Sequence, residues 1–212
     1  MLLRLKEVFA KRRSAVNFVE DFEMNKTDFD AIFELARYSP SVFNTQGVRY
    51  LVVADKVKQA KLKELCGGQH KLLSASAVIL ILADKSFMSE ANLEKIYGPS
   101  VKLGIINEDD NKTMLNQMNY LRKNLVGPEF EREIYRNVYI NTGMLISIIS
   151  VIGFDTCPVH ALNTDDIKAY FNLPEHLDVM FCLPIGKAVD AQRPRGYRHR
   201  VEELTIYDGV KD

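Results

Sequence analysis

Apolar positions set the first pattern along this chain. Leu2, Leu5, Val8 and Phe9 recur at helical spacing, so residues 2–12 read as an amphipathic helix. A second helix is expected from Thr27 or Asp28, capped by Asp28, faced by Ile32, Phe33, Leu35 and Ala36, and stopped by Pro40. Tyr50 to Ala54 is a short apolar run, read as a strand buried on both faces. Val57 to Leu65 reads as a helix ended by Gly67 and Gly68. Ala77 to Ala83, rich in β-branched residues, is the second strand. Residues 86–110 are assigned to helix and loop, and Lys112 to Leu125 to helix. From Glu129 a long helix runs to Ile152, with Gly153 as its stop. Its second half is apolar almost all round, which suits the centre of a core or a subunit interface. A helix starting at Asn163–Asp166 and running to Asn172, then a strand over Val179–Ile185, complete the series. With no internal repeat or linker, residues 1–212 read as one layered domain mixing helices and strands.

Composition narrows the classes. The 212 residues are 47% hydrophobic and 26% charged, near the globular average. Twenty-eight basic residues balance 28 acidic ones, so the footprint of a duplex nucleic-acid binder is missing. The most apolar stretch, Met144 to Ile152, is too short to span a membrane. Three dispersed cysteines give neither a disulfide framework nor a CxxC motif, and the N-terminus lacks the pattern of a secretory signal. Cytoplasmic residence is the expectation. The four histidines lack metal-ligand spacing, and both GxGxxG and the P-loop motif are absent.

Three segments carry candidate chemistry. Arg12-Arg13-Ser14 closes the first helix, where cations complement the helix dipole, and two guanidiniums plus a hydroxyl also suit a phosphate. The tail Arg193–Arg200 holds four arginines in eight residues, either a solvated tail or a second wall of that phosphate site. Tyr38 to Gly47 places Ser41, Asn44 and Gln46 after Pro40, either a polar turn or a hydrogen-bonding rim for a flat heterocycle. Cys157 and His160 invite a nucleophile–base reading, which is set aside because side chains three apart in an extended segment need not meet.

Taken in order, these parts are an Arg-Arg-Ser, a Ser-Pro-Ser-x-x-Asn-x-Gln loop, an apolar helix, an Asp-Thr-Cys-Pro segment, a strand ending Ile-Gly and an Arg-x-Arg tail. The series resembles the nitroreductase family of FMN-dependent oxidoreductases over about residues 4 to 205. That resemblance implies an α+β three-layer sandwich with a mixed central sheet flanked by helices. It also implies an intertwined homodimer with FMN at the interface, and NADH or NADPH as electron donor to a small-molecule acceptor such as a nitroaromatic or a quinone.

By the same resemblance, Arg12, Arg13 and Ser14 meet the FMN phosphate and ribityl chain, and Arg198 and Arg200 close the phosphate pocket. Pro40, Ser41 and Asn44 reach the flavin of the other subunit, and Asn137 lies near the ribityl or pyrimidine side. Pro158, Val159, His160 and Ala161 lie over the flavin face and its N5 edge, and Lys71 stands near N1. No side chain is expected as general acid. The chain departs from the family at Val16, usually Lys or Arg, and at Gly47, usually Pro. Two rival readings follow: an FMN-binding dimer acting as sensor or store, and a superfamily enzyme of other flavin chemistry with a lid built from residues 86–125.

Overall fold

The computed structural model describes residues 2–124, 127–189 and 194–209. In chain order the elements are α1 (Leu2–Lys11), α2 (Lys26–Ala36), β1 (Val48–Val53), α3 (Lys56–Leu65), α4 (Lys71–Ser74), β2 (Ala77–Asp84), α5 (Glu90–Lys102), α6 (Glu108–Asn124), α7 (Pro128–Ile152), β3 (Asp155–Thr156), β4 (Val159–His160), α8 (Thr164–Tyr170), β5 (Leu177–Gly186) and α9 (Val201–Leu204). Short 3-10 turns occupy Val42–Asn44 and Lys85–Met88.

The sheet runs β1-β2-β5-β3, with β4 also paired to β5. β2 is buried at all eight positions, and its alternation splits the core. Ala77, Ile79, Ile81 and Ala83 face a cluster built with α2, α5 and α7, while Val78, Leu80 and Leu82 face one built with α3 and α8. A sheet apolar on both faces needs a helical layer on each, which gives the sandwich. The β2–β5 register shifts between Ile81 and Leu82, where Phe181 and Val179 are the successive partners. Met180 is the extra residue of this bulge, which lets both Val179 and Cys182 join the second cluster.

The expected mixed sheet is not what the named strands form: their pairings are all antiparallel. A parallel contact enters only as the isolated bridge Ser14–Thr156 among the described residues. The segment just after α1 thus lies along the sheet edge without enough ladder to make a strand.

Most helix limits follow from local chemistry. Asn25, rather than Asp28, caps α2; Asp28 is the third helical residue and closes the capping box. Pro128 opens α7, and Gly153 ends it in the left-handed region at φ 102°. α7 buries Ile134, Val138, Leu145 and Ile149 along one stripe. Its opposite side leaves Tyr139 at 57% and Ile140 at 53% exposure, so in the monomer the helix is not enclosed as an all-round apolar pattern would be.

Candidate functional site

The end of α1 gathers positive charge. Arg12 and Arg13 are half-buried, and Ala15 donates its N–H to the Thr156 carbonyl at 3.0 Å, which holds Ser14 against β3. Arg13 Nη1 donates to the Ala10 carbonyl at 2.6 Å, so the dipole-capping role of a terminal cation is realised. From the tail, Arg195 Nη2 donates to the carbonyls of Phe9 at 3.1 Å, Ala10 at 2.8 Å and Arg12 at 2.8 Å. Its pKa is lowered, first by desolvation and then by the charges of Arg13, Arg198 and Arg12. Among the described residues no carboxylate pairs with any of these four. Crowded guanidiniums without a carboxylate partner have the charge and donors to hold an anion.

Arg195 was read from the sequence only as a member of the arginine-rich tail. Arg200 donates its backbone N–H to Glu203 Oε2 at 2.7 Å, which caps α9, and its side chain is exposed. Arg198 is turned to the tail's own carbonyls at Gly196 and Tyr197. Arg193 lies outside the described residues.

Lys71 opens α4, and its Nζ is 3.5 Å from Cys157 Sγ. That places a half-buried cation beside the segment Pro158, Val159, His160 and Ala161. The segment is fixed by β4, whose Val159 and His160 sit opposite Cys182 and Phe181 of β5. Val159 and Ala161 are buried, whereas Pro158 and His160 are exposed. A cleft of about 400 Å³ is lined by Pro158, Val159 and His160 together with Tyr139, Thr142 and Gly143 of α7. Among the described residues the hydrogen-bond partners of Cys157 Sγ are Lys71 and the Pro158 carbonyl, and none is His160.

A separate cavity of about 270 Å³ is lined by Pro40, Ser41, Arg49, Tyr50, Asn137 and Asn141, among others. Asn137 Oδ1 accepts the Val42 N–H at 2.6 Å, and its Nδ2 donates to the Glu133 carbonyl at 2.7 Å. Tyr50 donates its hydroxyl to Asn141 Oδ1, and burial pushes the phenol up to about 12. Ser39 Oγ, on the same wall, is buried without a partner. The loop beyond is forced: Phe43, Asn44 and Gln46 all have positive φ, between 47° and 52°. Asn44 is exposed and does not line the cavity. Gly47 stands where a side chain has no room, since a Cβ would lie 2.9 Å from Phe87 Cβ.

The structure thus joins Pro40 and Ser41 with Asn137, and Lys71 with Cys157 and the segment after it, while the two cavities share no lining residue. α7 serves both, with Asn137 and Asn141 on one flank and Tyr139, Thr142 and Gly143 on the other. Asn141 and Tyr50 were not singled out from the sequence. Asn141 was within reach, since it stands one helical turn from Asn137.

A sequence profile of the Nitroreductase family matches residues 9–187. The chain belongs to that family. Among its nitroreductase relatives, a Bacillus subtilis protein carrying the name NAD(P)H nitroreductase MhqN is 35% identical over 199 residues, covering 93% of this chain and 95% of that protein. The crystal structure of the Bacillus subtilis nitroreductase ydfN has a TM-score of 0.92 at 31% identity, covering 98% of this chain and 100% of the other. A nitroreductase from Exiguobacterium sibiricum, solved in complex with FMN, has a TM-score of 0.86 at 25% identity, covering 96% and 97% of the two chains. These likenesses extend the family's α+β sandwich over nearly the whole chain.

Proposed function

We propose that the protein reduces electron-poor acceptors, nitroaromatics and quinones being the class, with electrons from NADH or NADPH. It is an FMN-dependent oxidoreductase. The observation that carries this reading is the set of Arg12, Arg13, Arg195 and Arg198, four guanidiniums without a carboxylate, together with the orphaned Ser39 Oγ on the second cavity. A phosphate ester fits the first and a polar heterocycle edge the second. When bound, FMN supplies the redox chemistry, taking hydride from the nicotinamide and passing two electrons to the acceptor in a ping-pong cycle.

The chain's own residues bind and orient. Arg12, Arg13 and Arg195 hold the phosphate, and Ser14 offers a hydroxyl beside it. The β4 segment gives a fixed backbone wall, because its ladder to β5 leaves little freedom. Lys71 brings positive charge to that wall. Asn137 holds the loop of Pro40 and Ser41 in place through the Val42 N–H.

A homodimer belongs to the same proposal. The two cavities lie on opposite flanks of α7, and apolar side chains stay uncovered on α1, α7 and the tail, including Phe9 at 50%, Tyr139 at 57% and Leu204 at 70% exposure. A partner subunit would bring one protomer's Pro40–Ser41 wall to the other's arginine cluster. Cytoplasmic location is proposed from three free, buried cysteines. No helix among the described residues is long and apolar enough to cross a membrane.

Purified protein should carry a flavin spectrum, sediment as a dimer, and be bleached rapidly under anaerobic conditions by NADH or NADPH. Colourless protein that does not take up FMN overturns the cofactor assignment, and slow bleaching by both nucleotides favours a binder over an enzyme. A stable monomer at micromolar concentration overturns the shared site.

A further inference from the structure

Away from the flavin cavities, α5 and α6 pack beside each other with a cleft of about 500 Å³ between them, within the range of small-molecule sites. Its apolar lining comes from Leu93, Tyr97 and Val101 of α5 and Leu115 of α6. Two further lining residues, Asn111 and Asn119, carry side-chain oxygens that are withdrawn from solvent and accept no hydrogen bond. An unsatisfied buried carbonyl is costly to keep, and here two of the four such atoms found among the described residues fall on one cleft. The terminal torsion of an asparagine is broad and two-fold, so either amide can turn its oxygen to a ligand in the cleft.

We propose that this cleft binds an elongated two-ring aromatic compound with a hydroxyl donor at each end. The apolar walls select the rings. The orphaned oxygens select donors over acceptors, because an ether or carbonyl in the same place leaves them unpaired. Their spacing sets the length: Asn111 and Asn119 are eight residues apart on one helix, a rise of ~12 Å, which a single ring cannot bridge. Arg122 Nη2, 3.3 Å from Glu90 Oε1, ties α6 to α5 beside the cleft. One hydrogen bond joins the cleft to the loop at the second cavity: Tyr97 donates its hydroxyl to the Phe43 carbonyl.

Calorimetric titration of the FMN-loaded protein with para,para′-biphenol and with its dimethyl ether tests the assignment. The diol should bind one molecule per chain, and the ether at least about tenfold more weakly. Asn119→Leu, close in size and without the orphaned oxygen, should lose the diol while raising the melting temperature. Equal binding of diol and ether, retention of the diol by Asn119→Leu, or a lowered melting temperature in that variant would each overturn the proposal. Should Asn119→Leu not fold, Asn111→Leu repeats the test, and the comparison of the two compounds on the wild-type protein needs no variant.

Discussion

The guanidinium of Arg195 closes on the backbone carbonyl of Arg12 at 2.8 Å and ties the tail to the end of the first helix. The tail therefore reaches the proposed phosphate site through Arg195, while the backbone N–H of Arg200 is engaged by Glu203 at α9. Replacing Arg12 by Ala should weaken FMN binding by about 1.5–3 kcal/mol, the range for a hydrogen bond to a charged group. Arg195→Ala should weaken it in the same direction, and Arg200→Ala much less. Riboflavin, lacking the phosphate, should bind wild type and variants alike. Fluorescence titrations with both flavins check this; equal FMN affinity in all variants would show that the cluster does not hold the phosphate.

Lys71 Nζ lies 3.5 Å from Cys157 Sγ, beside the β4 segment, and the uncharged Val16 stands where the resemblance leads one to expect Lys or Arg. A nearby cation favours the more negative, reduced form of a bound cofactor. Lys71→Ala should lower the midpoint potential by tens of millivolts and Val16→Lys should raise it, on a scale where about 30 mV corresponds to about 1.4 kcal/mol. Potentials of both variants, measured by equilibration with a dye couple, decide the matter. Shifts below about 10 mV in both would place Lys71 away from the flavin.

Asn137 is a latch between α7 and the loop after α2. Replacing it by Leu leaves the Val42 N–H without its 2.6 Å acceptor, a loss of about 1–3 kcal/mol for a group withdrawn from water. Hydrogen exchange at Val42 and its neighbours should accelerate in Asn137→Leu, while Asn137→Asp, which keeps an acceptor oxygen, should restore part of the protection. Unchanged exchange in the Leu variant would mean that other bonds hold the loop, among them Tyr97 to the Phe43 carbonyl and Asn92 Nδ2 to the Thr45 carbonyl at 3.0 Å.

Stability should respond to pH through a thiol pair. Cys66 and Cys182 lie with their sulfurs 3.7 Å apart, and this contact lowers Cys66 to about 7 while Cys182 is raised by the same contact and by burial. Between about 7 and the ordinary thiol value near 8.5, the unfolded chain holds a proton at Cys66 that the folded chain has released, so stability rises with pH. Above that range the sign reverses, because the folded chain retains the Cys182 proton. Melting temperatures across this interval should pass through a shallow maximum, and Cys66→Ser should remove the rising limb. A flat profile in the wild type would mean that the pair does not ionise in this way.

Much of the architecture was readable because single segments determine it. β2 is an unbroken apolar run, short and rich in β-branched residues, which favours a strand covered on both sides. α5 was obscured by Gly98 and Pro99, both helix breakers, yet the helix runs through them to Lys102. α6 begins at Glu108, ahead of the Lys112 suggested by periodicity, because Asn107 Oδ1 accepts the Asp110 N–H at 2.8 Å. The two-residue strands β3 and β4 carry no pattern of their own; β5 imposes them. The site was legible where residues adjoin in sequence, as at Arg12–Ser14. It was not where a contact spans the chain, as between Arg195 and Arg12, or where asparagine and glutamine adopt positive φ that no composition signals.

Because α7 presents Asn137 and Asn141 to one cavity and Tyr139, Thr142 and Gly143 to the other, it acts as an angular ruler. Each added residue turns whatever precedes it by ~100°. A single insertion between Asn137 and Val138 would swing Asn137 away from its loop and leave Tyr139, Thr142 and Gly143 in place. Change along this helix is therefore confined to exchanges of side chain at constant length.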